Sequence, residues 1–178
     1  KGLKKNISLD DRSVDFSILT DVIEHFFDPI YPMREINRVS KLGSYLILST
    51  DNLTRFHSLI NILRGKSPNV PLIDGNLFYD GDWRPHFREY SKNELDLLLK
   101  WSGFELLEHE YYSANFGEFK VHNGEIIKLK IQSPSLKGKI IYSVQKLLTK
   151  AFPHMKDNQI LVARKIQEFE SVIQNSPR

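Results

Sequence analysis

The chain of 178 residues contains no cysteine. That excludes a disulfide framework, a thiolate nucleophile and a thiolate zinc site, and it fits a reducing compartment. No apolar run approaches the roughly eighteen residues that a membrane span requires. The basic residues at 1–6 also lack the apolar stretch of a signal peptide, so a cytoplasmic location is expected. The nine glycines include no G-x-G. Internal repeats and low-complexity segments are absent as well.

What is present is an ordinary globular composition, 40% hydrophobic and 26% charged, on a length that suits one domain. The net charge of +3 is unevenly placed: residues 118–166 carry ten Lys or Arg against three Asp or Glu. Such a stretch suits nucleic acid, anionic lipid or an acidic substrate, but a solvated lysine-rich helix face is the commonest outcome. Because no aromatics interleave with these lysines for base stacking, no nucleic-acid partner is expected.

Residues 14–20 (VDFSILT) form a short apolar, β-rich run that predicts a buried strand. Asp28 is placed to cap a helix whose first turn holds Pro29 and Pro32. Met33, Ile36 and Val39 recur on one face of that helix, and Arg34, Glu35, Arg38 and Lys41 take the other. Gly43 is expected to end it before a second buried strand at 45–49, parallel to the first. A helix over 53–63 precedes a loop that carries Phe78, Tyr79 and Trp83. Ser91 and Glu94 make a capping box for a helix with Leu95, Leu98 and Leu99 buried, followed by a strand at 104–112. Residues 135–152 form an amphipathic helix, with Ile140, Ile141, Val144, Leu147, Leu148 and Phe152 on one side. It is expected to cover the sheet, with contact to a membrane surface as the alternative. A last strand spans 159–166, and 167–178 is a tail.

Alternating strands and helices imply an α/β sheet with helices on both faces, which binds ligands beyond the carboxyl ends of its strands. Thr20, Asp21, Glu24 and His25 therefore fall at a mouth. Glu24 and His25 either act there or cap a neighbouring helix. Likewise His86, Arg88 and Tyr90, ahead of a helix N-terminus, suit an anion or sugar hydroxyls, and Trp83 could stack on a ring. Their alternative is a loop clamp, with Arg88 paired to an acid and Tyr90 packed inward. Asp74, Asp80 and Asp82 match no compact ligand set, so no metal is expected.

The segment VDFSILTDVIEHFFDPIYPMREINRVSKLGSYLILSTDN resembles the second half of class I S-adenosylmethionine-dependent methyltransferases, in the branch acting on small molecules or glycans. The matching features are Glu24-His25, Asp28-Pro29, the Glu35 to Val39 helix pattern, Gly43, and Ser49 to Asn52. The later HFREYSKNELDLLLKWSGF is similar to the next signature of that family.

This resemblance implies a Rossmann-like seven-strand sheet in a three-layer α/β/α arrangement, with its N-terminal strands missing from the chain. Residues 1–166 would be the C-terminal part of one domain, with 113–158 a variable insert between the last two strands. It also implies S-adenosylmethionine as cofactor, with Thr20 and Asp21 at its methionine end. Methyl transfer would go to a small-molecule or sugar acceptor. His25 would be the candidate base, Glu24 its orienting partner, and Trp83, His86, Arg88 and Tyr90 the acceptor contacts. The family's Gly-rich turn and the acid ending its second strand are not in this chain, so a missing N-terminal half of the domain is the expected partner. A non-catalytic scaffold is the alternative. The first strand should then have an unpaired edge.

Overall fold

The computed structural model describes residues 6–68, 78–79, 82–83, 86–113, 119–122, 125–128 and 136–169. Four strands form the main sheet: β1 (Val14–Thr20), β2 (Ser40–Asp51), β5 (Phe104–Tyr112) and β8 (Asn158–Lys165). Two-residue β3 (Phe78–Tyr79) and β4 (Asp82–Trp83) pair with each other, as do β6 (Phe119–His122) and β7 (Glu125–Lys128). The helices are α1 (Ile30–Val39), α2 (Phe56–Leu63), α3 (Lys92–Trp101) and α4 (Leu136–Ala151). The sheet order is β1-β2-β8-β5, with β1 parallel to β2 and β8 antiparallel to both its neighbours. The carboxyl ends of β1, β2 and β5 therefore share one edge of the sheet with the start of β8.

Local chemistry explains the elements. Asp28 Oδ1 accepts the Ile30 N–H at 3.1 Å. Pro32 sits in the first turn of α1, where an absent N–H costs no helical bond. Met33, Ile36 and Val39 are buried as their spacing predicts. Glu35, expected on the polar face, is instead buried: Arg38 chelates both its oxygens and the Ile7 N–H donates to it at 3.0 Å. Arg38 thus holds the Glu35 carboxyl below its ordinary range.

The helix also ends earlier than expected. β2 begins at Ser40, and Gly43, at φ +83°, lies inside the strand. There the pairing with β1 slips from Val14↔Ser40 to Phe16↔Tyr45. An irregular strand needs a left-handed residue, and glycine adopts that conformation without strain.

The predicted capping box of α3 is present in both directions. Beyond it Gly103 has φ +81°, and a Cβ there would meet Gln167 O at 2.5 Å and Asn37 Nδ2 at 2.7 Å. Asn37 needs that proximity, because its amide donates to Ser102 O and Gln167 O and accepts from Phe169 N–H. Lys165, 1% exposed, is satisfied by Asn37 O, Ser40 O and Glu168. A buried ammonium is tolerated only with such a complete set of acceptors.

The core lies on one face of the sheet. Leu46, Leu48, Leu161 and Ala163 pair across β2 and β8 and pack with Met33, Ile36, Leu95, Leu98, Leu99 and Phe104. On the opposite face Phe16, Ile18 and Tyr45 are 49%, 64% and 44% exposed. The described helices that pack on the sheet bury the core face, so the second helical layer is not built from described residues. β1 forms one edge, as expected, and pairs only with β2 among the described residues. Helix α4 does not take up the covering role expected of it: Ile140, Val144 and Leu147 remain exposed. Among the described residues, no helix is long and apolar enough to cross a membrane.

Candidate functional site

At the end of β1 the chain must leave the sheet, and it does so through Asp21 at φ +52°. Asp tolerates this left-handed conformation better than most residues. Two bonds to β2 fix the turn: Asp21 N–H donates to Ser49 O at 3.0 Å, and Ser49 Oγ donates to Asp21 Oδ1 at 3.0 Å. Thr20 and Asp21 are exposed at this edge.

A single 3₁₀ turn, Ile23–His25, then divides its three side chains between the interior and the surface. Ile23 and Glu24 go inward, with Glu24 only 2% exposed, while His25 stays at the surface. Burial raises the Glu24 carboxyl above its ordinary pKa. Backbone bonding and the Thr50 hydroxyl, which donates at 2.9 Å, oppose that rise. The Glu24 carbonyl also accepts from Phe87 N–H at 2.8 Å and Arg88 N–H at 3.4 Å. The turn after β1 and the loop before α3 are thereby held as one unit.

That loop brings His86 against His25, with ring centres 4.7 Å apart and planes at 80°. His86 Nδ1 lies 3.1 Å from Asp51 Oδ2 and 3.9 Å from Glu89 Oε1. The Asp51 contact is at ion-pair distance, although Nδ1 makes no well-aligned hydrogen bond. Asp51 first, then Glu89, push the imidazole pKa up to about 10 against the opposing effect of burial. The two carboxylates thus favour the protonated imidazole. For Asp51, burial is the largest influence and acts upward, but His86 and Arg55 together leave its carboxyl below the ordinary value. Glu89 is buried and held by a bidentate Arg55 at 2.7 and 2.8 Å. Such forked pairs fix geometry as well as charge.

The predicted residues divide into two groups. Thr20, Asp21, Glu24, His25 and His86 converge at the carboxyl end of the sheet. Arg88 and Tyr90 instead show clamp geometry: Arg88 pairs with Glu94 and lies 5.5 Å from the centre of the Tyr90 ring. Tyr90 is 2% exposed in the core, and burial raises its phenol to about 12. Its hydroxyl has no partner among the described residues. The Trp83 side chain, with Asp74, Asp80 and the Asp82 side chain, lies outside the described residues.

Asp51, Arg55 and Glu89 carry no signal in the sequence that marks them as partners of His86. Asp51 lies inside the Ser49 to Asn52 segment, and Glu89 inside HFREY. The pairing of Glu89 with Arg55 across 34 positions leaves no local pattern.

The motif's Asn52 has a structural task. Its amide donates to His154 O and Lys156 O, both at 2.7 Å, and its Oδ1 accepts from Thr54. This ties the turn before β8 to the site.

Among the described residues, two groups, Glu24-His25-His86 and Asp51-His86-Glu89, have ligand atoms close enough to hold a cation. Two of their carboxylates are already engaged, Glu89 by Arg55 and Glu24 by Thr50. A polar hollow of about 240 Å³ lined by Arg12, Arg34, Arg38 and Glu168 is adjacent to the opposite end of β1. It therefore lies away from this chemistry.

No family model matches the chain. It is 30% identical over 134 residues to a probable S-adenosylmethionine-dependent methyltransferase of Mycolicibacterium smegmatis, a match covering 74% of this chain and 45% of the relative. Among solved structures, it is similar to an S-adenosylmethionine-dependent methyltransferase of Methanosarcina mazei. That match has a TM-score of 0.53, 18% identity and coverage of 93% of this chain and 65% of the other. It is also similar to a chain in the complex between the Haloferax volcanii Trm112 methyltransferase activator and a methyltransferase. There the TM-score is 0.52 at 13% identity, covering 93% and 60%. The chain thus spans less than half of its curated relative and under two thirds of both structures. Its fold is the Rossmann-like α/β fold of the S-adenosylmethionine-dependent methyltransferases, with four strands of the main sheet formed by this chain.

Proposed function

We propose that this chain forms the acceptor side of an S-adenosylmethionine-dependent methyltransferase, with a small molecule or sugar as acceptor. The observation that carries this reading is the convergence of Glu24, His25 and His86 beside the ends of β1 and β2. Open-sheet α/β enzymes place their chemistry at that edge.

The described residues fit one wall of a cofactor site. Thr20 and Asp21 are exposed where β1 ends, and Asp21 is oriented by Ser49. They would hold the polar methionine end of S-adenosylmethionine, which supplies an electrophilic methyl group. The chain's own residues then position and deprotonate the acceptor. His86, held cationic by Asp51 and Glu89, attracts an acceptor oxygen or anionic substituent. His25, exposed next to it, takes the acceptor proton at a ring nitrogen, and Glu24 shapes the pocket floor. Alignment of the acceptor supplies much of the rate, because in-line displacement is steeply sensitive to position. Trp83 is assigned to the acceptor side with His86, while Arg88 and Tyr90 support the loop from behind.

The remaining wall comes from a further segment of the same domain. Two features support this: the open β1 edge, and the exposed Phe16, Ile18 and Tyr45 on the uncovered face. A separate protein is the other candidate occupant, and the Haloferax structure is itself a complex with an activator.

The test uses the product of the complete reading frame. His86→Ala should weaken acceptor use about tenfold or more while S-adenosylhomocysteine binding, read by calorimetry, stays unchanged. Equal loss of both, or loss through unfolding, would refute the assignment of His86 to the acceptor. Failure of the unaltered protein to bind S-adenosylhomocysteine would favour a scaffold role.

A further inference from the structure

Helix α4 exposes the surface that an amphipathic helix normally buries. Ile140, Ile141, Val144 and Leu147 are 57%, 38%, 44% and 70% exposed, and Phe152 just beyond the helix is 48% exposed. Their spacing puts the four helical residues on one stripe. Among the described elements α4 touches chiefly the Pro153–Met155 turn that follows it.

Its charge is equally one-sided. From Ile126 to Lys156 the sequence has seven lysines and no acidic residue. The helices that bury a face on the sheet differ. α1 carries Arg34, Glu35 and Arg38, and α3 carries Glu94, Asp96 and Lys100, so both mix signs. A stripe of exposed aliphatic side chains on a helix whose only charged residues are lysines complements an apolar layer under an anionic surface.

We propose that α4 is an interfacial helix that docks on anionic lipid, with Ile140, Val144 and Leu147 at the acyl boundary and Lys146 and Lys150 among the headgroups. Its anchorage gives the docking a consequence. The turn after α4 is fastened to Asn52 through His154 O and Lys156 O, and Lys156 Nζ donates to Tyr111 O at 3.0 Å. Asn52 adjoins Asp51, the partner of His86. A seated α4 thus holds the site edge close to the lipid surface. Resting on the methyltransferase reading above, this narrows the acceptor to an amphiphile whose apolar part stays in the membrane.

The test is flotation of the complete gene product with phosphatidylcholine vesicles and with mixed phosphatidylcholine and phosphatidylglycerol vesicles. Binding is expected to the mixed vesicles and much less to the neutral ones. Each lysine near the surface contributes about a fivefold change in partition, so Lys146→Gln with Lys150→Gln should weaken binding about twenty-fivefold. Leu147→Glu should abolish it while circular dichroism and the melting temperature stay unchanged, because the replaced side chain is exposed. Val144→Trp adds an independent readout, a blue-shifted emission on mixed vesicles alone.

The proposal is overturned if the unaltered protein does not float, if it floats equally with neutral vesicles, or if Leu147→Glu floats as well. It is also overturned if light scattering shows a dimer that Leu147→Glu dissolves, since a second copy would then cover the stripe. Vesicle binding without S-adenosylhomocysteine binding would leave the docking intact and remove the acceptor assignment, so the two failures are distinguishable.

Discussion

Raising the pH should remove the charge of His86 and, with it, part of the stability of the site. The imidazole has Asp51 at 3.1 Å and Glu89 at 3.9 Å, and its pKa is pushed up to about 10. In the unfolded chain it reverts to about 6.5. The folded value is the higher one, so the contribution is complete below about pH 6.5 and is lost as pH rises towards 10. A difference of about 3.5 pKa steps corresponds to at most about 5 kcal/mol. Glu89 is already matched by a bidentate Arg55, which reduces its share. A loss of about 2–3 kcal/mol is therefore expected. Urea unfolding at pH 6, 8 and 10, for the unaltered protein and His86→Gln, isolates this effect from other groups that titrate at high pH. The difference between the two proteins should shrink across the series. Ring-proton NMR gives the titration directly. A His86 midpoint near 6.5, or a pH-independent difference, would refute the reasoning.

Other outcomes follow from the same packing. Gly103→Ala should lower stability by about 2–4 kcal/mol in chemical unfolding, through left-handed strain and the clash with Gln167 O. Lys165→Met should cost about 2–4 kcal/mol, because Asn37 O and Ser40 O lose their buried donor. Ser91→Ala should cost about 1 kcal/mol by removing the cap of α3, read as a lowered melting temperature.

The elements that sequence predicted well are those whose signals are local. Proline at the start of α1, the Ser91 and Glu94 capping box and the stripe of Leu95, Leu98 and Leu99 need no knowledge of distant partners. The strand at 104–112 was legible for the same reason. Local signals mislead where distant residues decide. Gly43 looks like a helix stop, yet it is the left-handed residue of an irregular strand whose form depends on pairing with β1. Glu35 looks solvated, yet Arg38 and Ile7 N–H neutralise its burial.

The gathering of the candidate residues at one sheet edge was legible to the same degree. Thr20, Asp21, Glu24 and His25 follow from the rule that ligands bind beyond strand ends, and His86 from its place ahead of a capped helix. The array around His86 was not, because Arg55, Asp51 and Glu89 come from three segments brought together only by folding. The expected cover of the sheet by α4 failed for a related reason. Amphipathicity specifies that a face must be buried but not against what.

Amide chemical shifts of the complete gene product during titration with S-adenosylhomocysteine test most directly whether the end of β1 is a cofactor wall. Thr20 and Asp21 should move most, with smaller shifts at Glu24 and His25. Saturable binding whose shifts fall instead around Arg12 and Arg38, at the opposite end of β1, would contradict the placement of the site.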